Sequence, residues 1–342
     1  MNNVRVLIGD RSLTVRNLLR RLLEDETGIS VAGDSCDGEE LLGLVRETEA
    51  DALVLDLDLP ALGGLELADA IGRHKRIPLV VLTSRRESDR VLEAFRAHSL
   101  GVAAVLPKPE VPDEWSNLGG ILGETIRQLG IRREGAVRSK FETDDIPTLT
   151  RGLRYVAVGA STGGPAAVFD LLQSMAPNFS VGVILVQHIA EGFESTYSEW
   201  LATELGIDVK VARDGERLTA GKIRVAPPGN HLTLGRDGML NLDRHSDPVN
   251  GHRPAVETLF RSLLEHPPSQ VAAVLLSGLG SDGAEGMVEL REAKIFTIAQ
   301  EETSCAVFGM PRAAIERRGA ALALAPGQIG RLLTGAARQG HD

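Results

Sequence analysis

Three residues in the second half of this chain have the chemistry of a serine hydrolase, and each stands just past an apolar run. Tyr155-Val-Ala-Val leads into Gly159-Ala-Ser161-Thr-Gly163-Gly164-Pro165 and then into a helical pattern over residues 166–173. The segment fits the nucleophile-elbow pattern Gly-x-Ser-x-Gly, in which glycines let the backbone turn sharply and the following helix offers free amides to a developing oxyanion. A glycine-rich strand-to-helix turn also cradles phosphates and dinucleotides. The dinucleotide version needs glycine where Ser161 stands, and no Gly-Lys-Ser or Gly-Lys-Thr follows for a triphosphate.

A serine hydroxyl attacks only when a base removes its proton, and the base needs a carboxylate to fix its tautomer. Of the six histidines past residue 150, His188 alone immediately follows a strong apolar strand, Val181-Gly-Val-Ile-Leu-Val-Gln187. Asp282 lies past Val271-Ala-Ala-Val-Leu-Leu, in the glycine-rich turn Ser277-Gly-Leu-Gly-Ser-Asp282-Gly283. Seen alone, Asp282 reads equally well as a cap for a helix over residues 284–292. The chain order Ser, His, Asp is not that of the α/β-hydrolases or of two well-known protease families, which implies an unrelated fold.

A different set of residues marks the first half. Apolar runs end in Asp10, Asp56 and Thr83, and a fifth is followed by Lys108-Pro109. In an open parallel sheet ligands collect outside the carboxyl ends of the strands. Asp10, Asp56 and the backbone carbonyl of Asp58 could hold a hard divalent cation such as magnesium. Asp56 would then accept a phosphoryl group, Lys108 would pair with its oxygens, and the Thr83 hydroxyl would hydrogen-bond one of them. Arg11 directly follows Asp10, and a cation there lowers metal affinity unless its guanidinium swings into solvent.

These residues need strands to position them. Short apolar runs over residues 4–8, 29–32, 52–55, 79–82 and 103–106 alternate with amphipathic stretches such as 13–23, which Ser12 can cap. A second alternating series has strands over residues 155–158, 181–186, 223–226, 271–276 and 296–299. Residues 131–150 are polar and aperiodic and read as a linker. The expected class is α/β with two doubly wound domains, over residues 1–130 and 151–342. The net charge is -10, and acids slightly outnumber bases from Arg151 onward, which argues against nucleic acid as a partner. Cys36 and Cys305 are too few for a disulfide framework or a thiolate zinc site and fit a reducing cytoplasm. No run is long and apolar enough for a membrane span.

The first half resembles response-regulator receiver domains, with Asp56 in Asp-Leu-Asp-Leu-Pro matching the phospho-acceptor and Lys108-Pro109 the family's Lys-Pro. That resemblance implies the flavodoxin-like strand order 2-1-3-4-5 and a histidine kinase as phosphodonor. Arg11 stands where a second acid is usual, and Val105 where an aromatic switch residue is usual.

The whole chain resembles the chemotaxis response-regulator protein-glutamate methylesterases, commonly called CheB. The matching runs include Gly-Ala-Ser161-Thr-Gly-Gly, Gln-His188, Asp214-Gly-Glu, Ala226-Pro-Pro-Gly-Asn-His231, His252-Arg-Pro, Gly280-Ser-Asp282-Gly and Thr303-Ser-Cys-Ala-Val-Phe-Gly-Met-Pro311. The resemblance implies a C-terminal open, mostly parallel sheet of the methylesterase fold, with Ser161 as nucleophile, His188 as general base and Asp282 as its orienting partner. It places Thr162 beside the site and makes the backbone around Leu279 an oxyanion donor, although Leu279 stands where methionine is usual and Ser281 where asparagine is usual. The implied reactions are hydrolysis of glutamyl methyl esters and deamidation of glutamines on chemoreceptors, in an open groove that the unphosphorylated receiver covers. No cofactor is implied at the hydrolase site, and a cytoplasmic monomer is expected. His231, His252 and Arg253 are read as shaping the groove or pairing with receptor carboxylates, and residues 303–311 as packing against the active-site loops. Two other readings stay open: the same triad serving a different ester or amide, and a docking module whose receiver has lost phosphorylation. Arg11 favours the second of these, and the retained Ser161, His188 and Asp282 oppose it.

Overall fold

A computed structural model describes residues 3–74, 77–84, 88–130, 152–175 and 180–338, so the proposed linker lies outside the described residues. The chain divides into two compact units, Met1–Glu134 and Gly135–Asp342.

The first unit runs β1 (Val4–Gly9), α1 (Leu13–Glu24), β2 (Ile29–Ser35), α2 (Gly38–Glu47), β3 (Ala52–Asp56), α3 (Gly64–His74), β4 (Leu79–Thr83), α4 (Ser88–Arg96), β5 (Val102–Pro107) and α5 (Pro112–Gly130). Its strands are parallel in the order β2-β1-β3-β4-β5, as the resemblance implied. Successive strand side chains point to opposite faces, which is why nearly continuous apolar strands can be buried on both. Leu7, Leu53, Leu55 and Val81 pack with Leu41 of α2 and Leu67 of α3. Val6, Ile8, Val54 and Val80 pack on the opposite face with Leu19 of α1 and Leu122 of α5. Ser12 caps α1, its Oγ accepting the Val15 amide at 3.4 Å.

The second unit begins with β6 (Tyr155–Ala160), α6 (Gly164–Met175), β7 (Gly182–Gln187), α7 (Glu194–Leu205), β8 (Asp208–Val211) and β9 (Lys222–Val225). It continues with β10 (His231–Leu234), β11 (Leu240–Asp243), α8 (Val256–Ser262), β12 (Val271–Leu275), α9 (Ala284–Glu292), β13 (Phe296–Gln300), α10 (Met310–Glu316), β14 (Leu322–Leu324) and α11 (Pro326–Arg338). Seven strands form a parallel sheet in the order β14-β13-β12-β6-β7-β9-β8. β10 and β11 form a separate antiparallel pair. All five strands read from the sequence are present, and β8, β10, β11 and β14 are additional. One face of the sheet buries Ala157, Ile184 and Leu275 against Phe260 of α8, Met287 of α9 and Met310 of α10. The strand order reverses between β12 and β6, which opens a crevice at their carboxyl ends. Among the described residues no helix is long and apolar enough to cross a membrane.

Candidate active site

Ser161, His188 and Asp282 follow the carboxyl ends of β6, β7 and β12, three adjacent strands at that crevice. The Ser161 amide donates to the Ser277 carbonyl at 3.0 Å, and the Ser161 carbonyl accepts from Gly164 N at 2.8 Å and from Gln187 Nε2 at 2.8 Å. Gly163 completes the turn at φ +76, where a Cβ would also stand 2.5 Å from Ala306 Cβ and from Ser277 Oγ. No other residue type fits there. Past β12, a Cβ on Gly278 would lie 2.9 Å from the Ser161 Cβ, so this glycine lets the Leu279 loop close on the serine.

His188 is fixed through its backbone, with its amide donating to the Ala160 carbonyl at 2.8 Å. Its Nε2 lies 3.0 Å from Asp282 Oδ2. An ionised carboxylate only accepts, so this contact assigns the ring proton to Nε2 and the lone pair of the neutral ring to Nδ1. That Nδ1 is buried with no hydrogen-bond partner. The ring is therefore oriented, and its acceptor nitrogen is left open to a proton donor.

Asp282 is 2% exposed and accepts from four donors. Besides His188, these are Val256 N at 2.7 Å, Glu257 N at 3.1 Å and Asn250 Nδ2 at 3.4 Å. Burial pushes its carboxyl up, but the His188 contact and the two amides at the start of α8 outweigh that and hold it below the usual carboxylate range. Asp282 thus does cap a helix, but the helix is α8. The cap position of α9 belongs to Gly283, which has no side-chain hydrogen bond to offer.

His252 stacks on His188, with ring centroids 3.8 Å apart and planes inclined by 12°. His231 is buried and occupied, its Nδ1 accepting from Ala255 N at 3.3 Å and its Nε2 3.0 Å from the Asp247 carbonyl. Arg253 reaches the Ser246 carbonyl at 2.8 Å, which ties the same loop down.

In the first unit, Asp10, Asp56 and Thr83 are buried at the carboxyl ends of β1, β3 and β4. Lys108 Nζ lies 2.7 Å from Asp10 Oδ2 and 2.5 Å from Asp56 Oδ2. The other oxygens accept backbone amides, Asp10 Oδ1 from Ser12 at 2.8 Å and Asp56 Oδ1 from Asp58 at 3.1 Å. The Lys108 amide bonds the Thr83 carbonyl at 2.8 Å. Two carboxylates against one ammonium leave net negative charge in an all-oxygen setting, which fits a hard divalent cation. Among the described residues no cluster of three His, Cys, Asp or Glu could hold a metal, so a third protein ligand would be of another kind, for which the Asp58 carbonyl is a candidate. Arg11 is exposed, which moves its charge toward solvent. Val105 is half-buried against the core.

Comparison with known proteins decides the family. A profile described as CheB methylesterase matches residues 156–333, and one described as response regulator receiver domain matches residues 6–117. A protein-glutamate methylesterase/protein-glutamine glutaminase of Anaeromyxobacter dehalogenans is 36% identical over 92% of this chain and 91% of its own length. Another of that name, from Geobacter metallireducens, is 33% identical over 98% of this chain and 99% of its own length. This chain belongs to the CheB methylesterase family. The crystal structure of the Thermotoga maritima CheB methylesterase catalytic domain aligns with TM-score 0.51 and 33% identity, covering 54% of this chain and 98% of that domain.

Two residues of this CheB-family site escaped the sequence reading as contributors to its geometry. Ser277 is fully buried and joins the loops, its Oγ donating to the Thr162 carbonyl at 2.8 Å and accepting from Val307 N at 3.0 Å. Gln187 bridges the Ser161 and His188 carbonyls at 2.8 and 3.1 Å. Each is a polar residue closing an apolar strand, a signal that was present but attached to no role. Residues 303–311 do pack on the site: Gly309 N and Met310 N donate to the Gly278 carbonyl at 3.1 and 2.9 Å.

Proposed function

We propose that this chain is a phosphorylation-regulated protein-glutamate methylesterase and protein-glutamine deamidase acting on chemoreceptors. The observation that carries this reading is the 3.0 Å contact between His188 Nε2 and Asp282 Oδ2, which leaves Nδ1 as the acceptor on the strand beside Ser161. The domains are the receiver over residues 1–130, a linker over 131–150 and the hydrolase over 151–342. The cytoplasm is the compartment, where the two free cysteines stay reduced.

Ser161 Oγ attacks the carbonyl carbon of the glutamyl methyl ester as its proton passes to His188 Nδ1. Asp282 stabilises the imidazolium. Backbone amides around Thr162 and Leu279 receive the oxyanion, with the start of α6 adding its dipole. The tetrahedral intermediate collapses, and methanol leaves with the proton from His188. Water then loses a proton to His188 and attacks the acyl-enzyme, which releases glutamate and restores Ser161. Deamidation follows the same path with ammonia as the leaving group.

In the receiver, Asp10, Asp56 and the Asp58 carbonyl would hold magnesium, which offsets charge on the incoming phosphoryl group. A histidine kinase supplies that group to Asp56. Lys108 and Thr83 then contact its oxygens instead of the resting partners of Lys108.

The test is methanol released from methylated chemoreceptor, with and without a small phosphodonor. Release that rises with the phosphodonor supports the proposal. No release from methylated receptor, with another ester cleaved instead, refutes the substrate assignment, and a rate indifferent to the phosphodonor refutes the switch at Asp56.

A further inference from the structure

The contact to Asp282 does not by itself hold the His188 ring in plane. Nε2 lies close to the axis of rotation about the Cβ–Cγ bond, and that torsion is broad in histidine. The ring can turn with its Nε2 contact to Asp282 largely kept, while Nδ1, farther from the axis, sweeps toward or away from Ser161. Something must bear on the face of the ring. What bears on it is His252, its ring stacked nearly parallel to that of His188 at 12° and 3.8 Å between centroids.

We infer that His252 is a positioning residue for His188, its ring face fixing the plane in which Nδ1 meets the proton of Ser161. This rests on the hydrolase reading above. The platform is itself fixed: Val249 and His252 exchange backbone hydrogen bonds of 3.0 Å in both directions. Asn250 at φ 54 and Gly251 at φ 80 make the turn between them, and the Asn250 side chain reaches Asp282. The charged or titratable groups that act on the His252 ring are His188, past β7, and Asp282, past β12. Burial, with His188 adding to it and Asp282 opposing, lowers the His252 pKa to about 4, so the platform stays neutral while His188 takes and returns a proton. An uncharged aromatic face suits a transient cation in van der Waals contact.

The test uses the full chain with phosphodonor and compares wild type, His252→Gln, His252→Phe and Ser161→Ala for methanol release from methylated receptor. The glutamine variant keeps polarity and removes the ring, while phenylalanine keeps the ring and removes the nitrogens. His252→Gln is expected to lower kcat about 10- to 100-fold with KM within about threefold, and His252→Phe to stay within about threefold of wild-type kcat. Labelling of Ser161 by a fluorophosphonate, which needs no receptor, is expected to follow the same order. Wild-type kcat in His252→Gln, or an equal loss in His252→Phe, overturns the inference. If the glutamine variant does not fold, the phenylalanine variant decides alone: retained kcat supports the ring face and a tenfold loss overturns it. An active Ser161→Ala protein would instead sink the hydrolase reading, so the two failures are distinguishable.

Discussion

Asp282 holds the imidazole of His188 with the same oxygen that accepts the Val256 amide, Oδ2 standing 3.0 Å from Nε2 and 2.7 Å from that nitrogen. The start of α8 and the His188 ring thus share one carboxylate. Asp282→Asn is expected to lower kcat about 10⁴-fold by admitting the wrong tautomer of His188, read as methanol release. The same change replaces a charge at the start of α8 and should cost about 1 kcal/mol in a denaturant melt.

Ser277 ties two loops to one strand end. In Ser277→Ala the Thr162 carbonyl and the amide and carbonyl of Val307 lose the hydroxyl that serves them. We expect a loss of about 1–3 kcal/mol in stability, measured by urea unfolding. A kcat reduced about tenfold should accompany it as the serine turn loosens.

Gly278→Ala places a methyl 2.9 Å from the Ser161 Cβ and 2.1 Å from Met310 Sδ. The methionine can move, but the serine turn is held by its backbone hydrogen bonds. A loss of activity larger than the loss of stability is the expected result, from paired kcat and melting measurements.

Stability should fall in mild acid because of His252. Its pKa is lowered from 6.5 to about 4, so between those values the unfolded chain binds a proton that the folded chain refuses. Folding stability is whole above about pH 6.5 and declines toward pH 4, by about 2–3 kcal/mol from this group. His252→Phe should flatten that slope. Asp282 works at lower pH: its carboxyl is depressed, and the stability it contributes is lost as pH falls through its folded-state value.

In the receiver, Asp56→Asn and Lys108→Ala should each abolish the rise in methanol release with phosphodonor, and a chelator that removes magnesium should do the same. A chelated protein that still responds would refute the metal assignment.

Both parallel sheets, and the placement of Ser161, His188 and Asp282 past three of their strands, were legible because their signals are local: apolar runs ending in a polar residue, and glycines where the backbone must turn. β8, β10, β11 and β14 were not: a strand of three or four residues carries little pattern, and of that length in the second unit only β9 was read. Asp282 shows the same limit on the scale of one side chain. Its position ahead of residues 284–292 suggested a cap for α9, yet its amide donors come from Val256 and Glu257, 26 and 25 residues away in sequence. The stack of His252 on His188 is likewise a long-range contact, and neither residue type nor spacing announces a ring face.

The proposed reaction requires Ser161 to attack and His188 to accept its proton. The most direct measurement is kcat for methanol release from methylated receptor by Ser161→Ala beside wild type, both with phosphodonor. A loss of at least about 10³-fold is predicted. Equal rates would contradict the account.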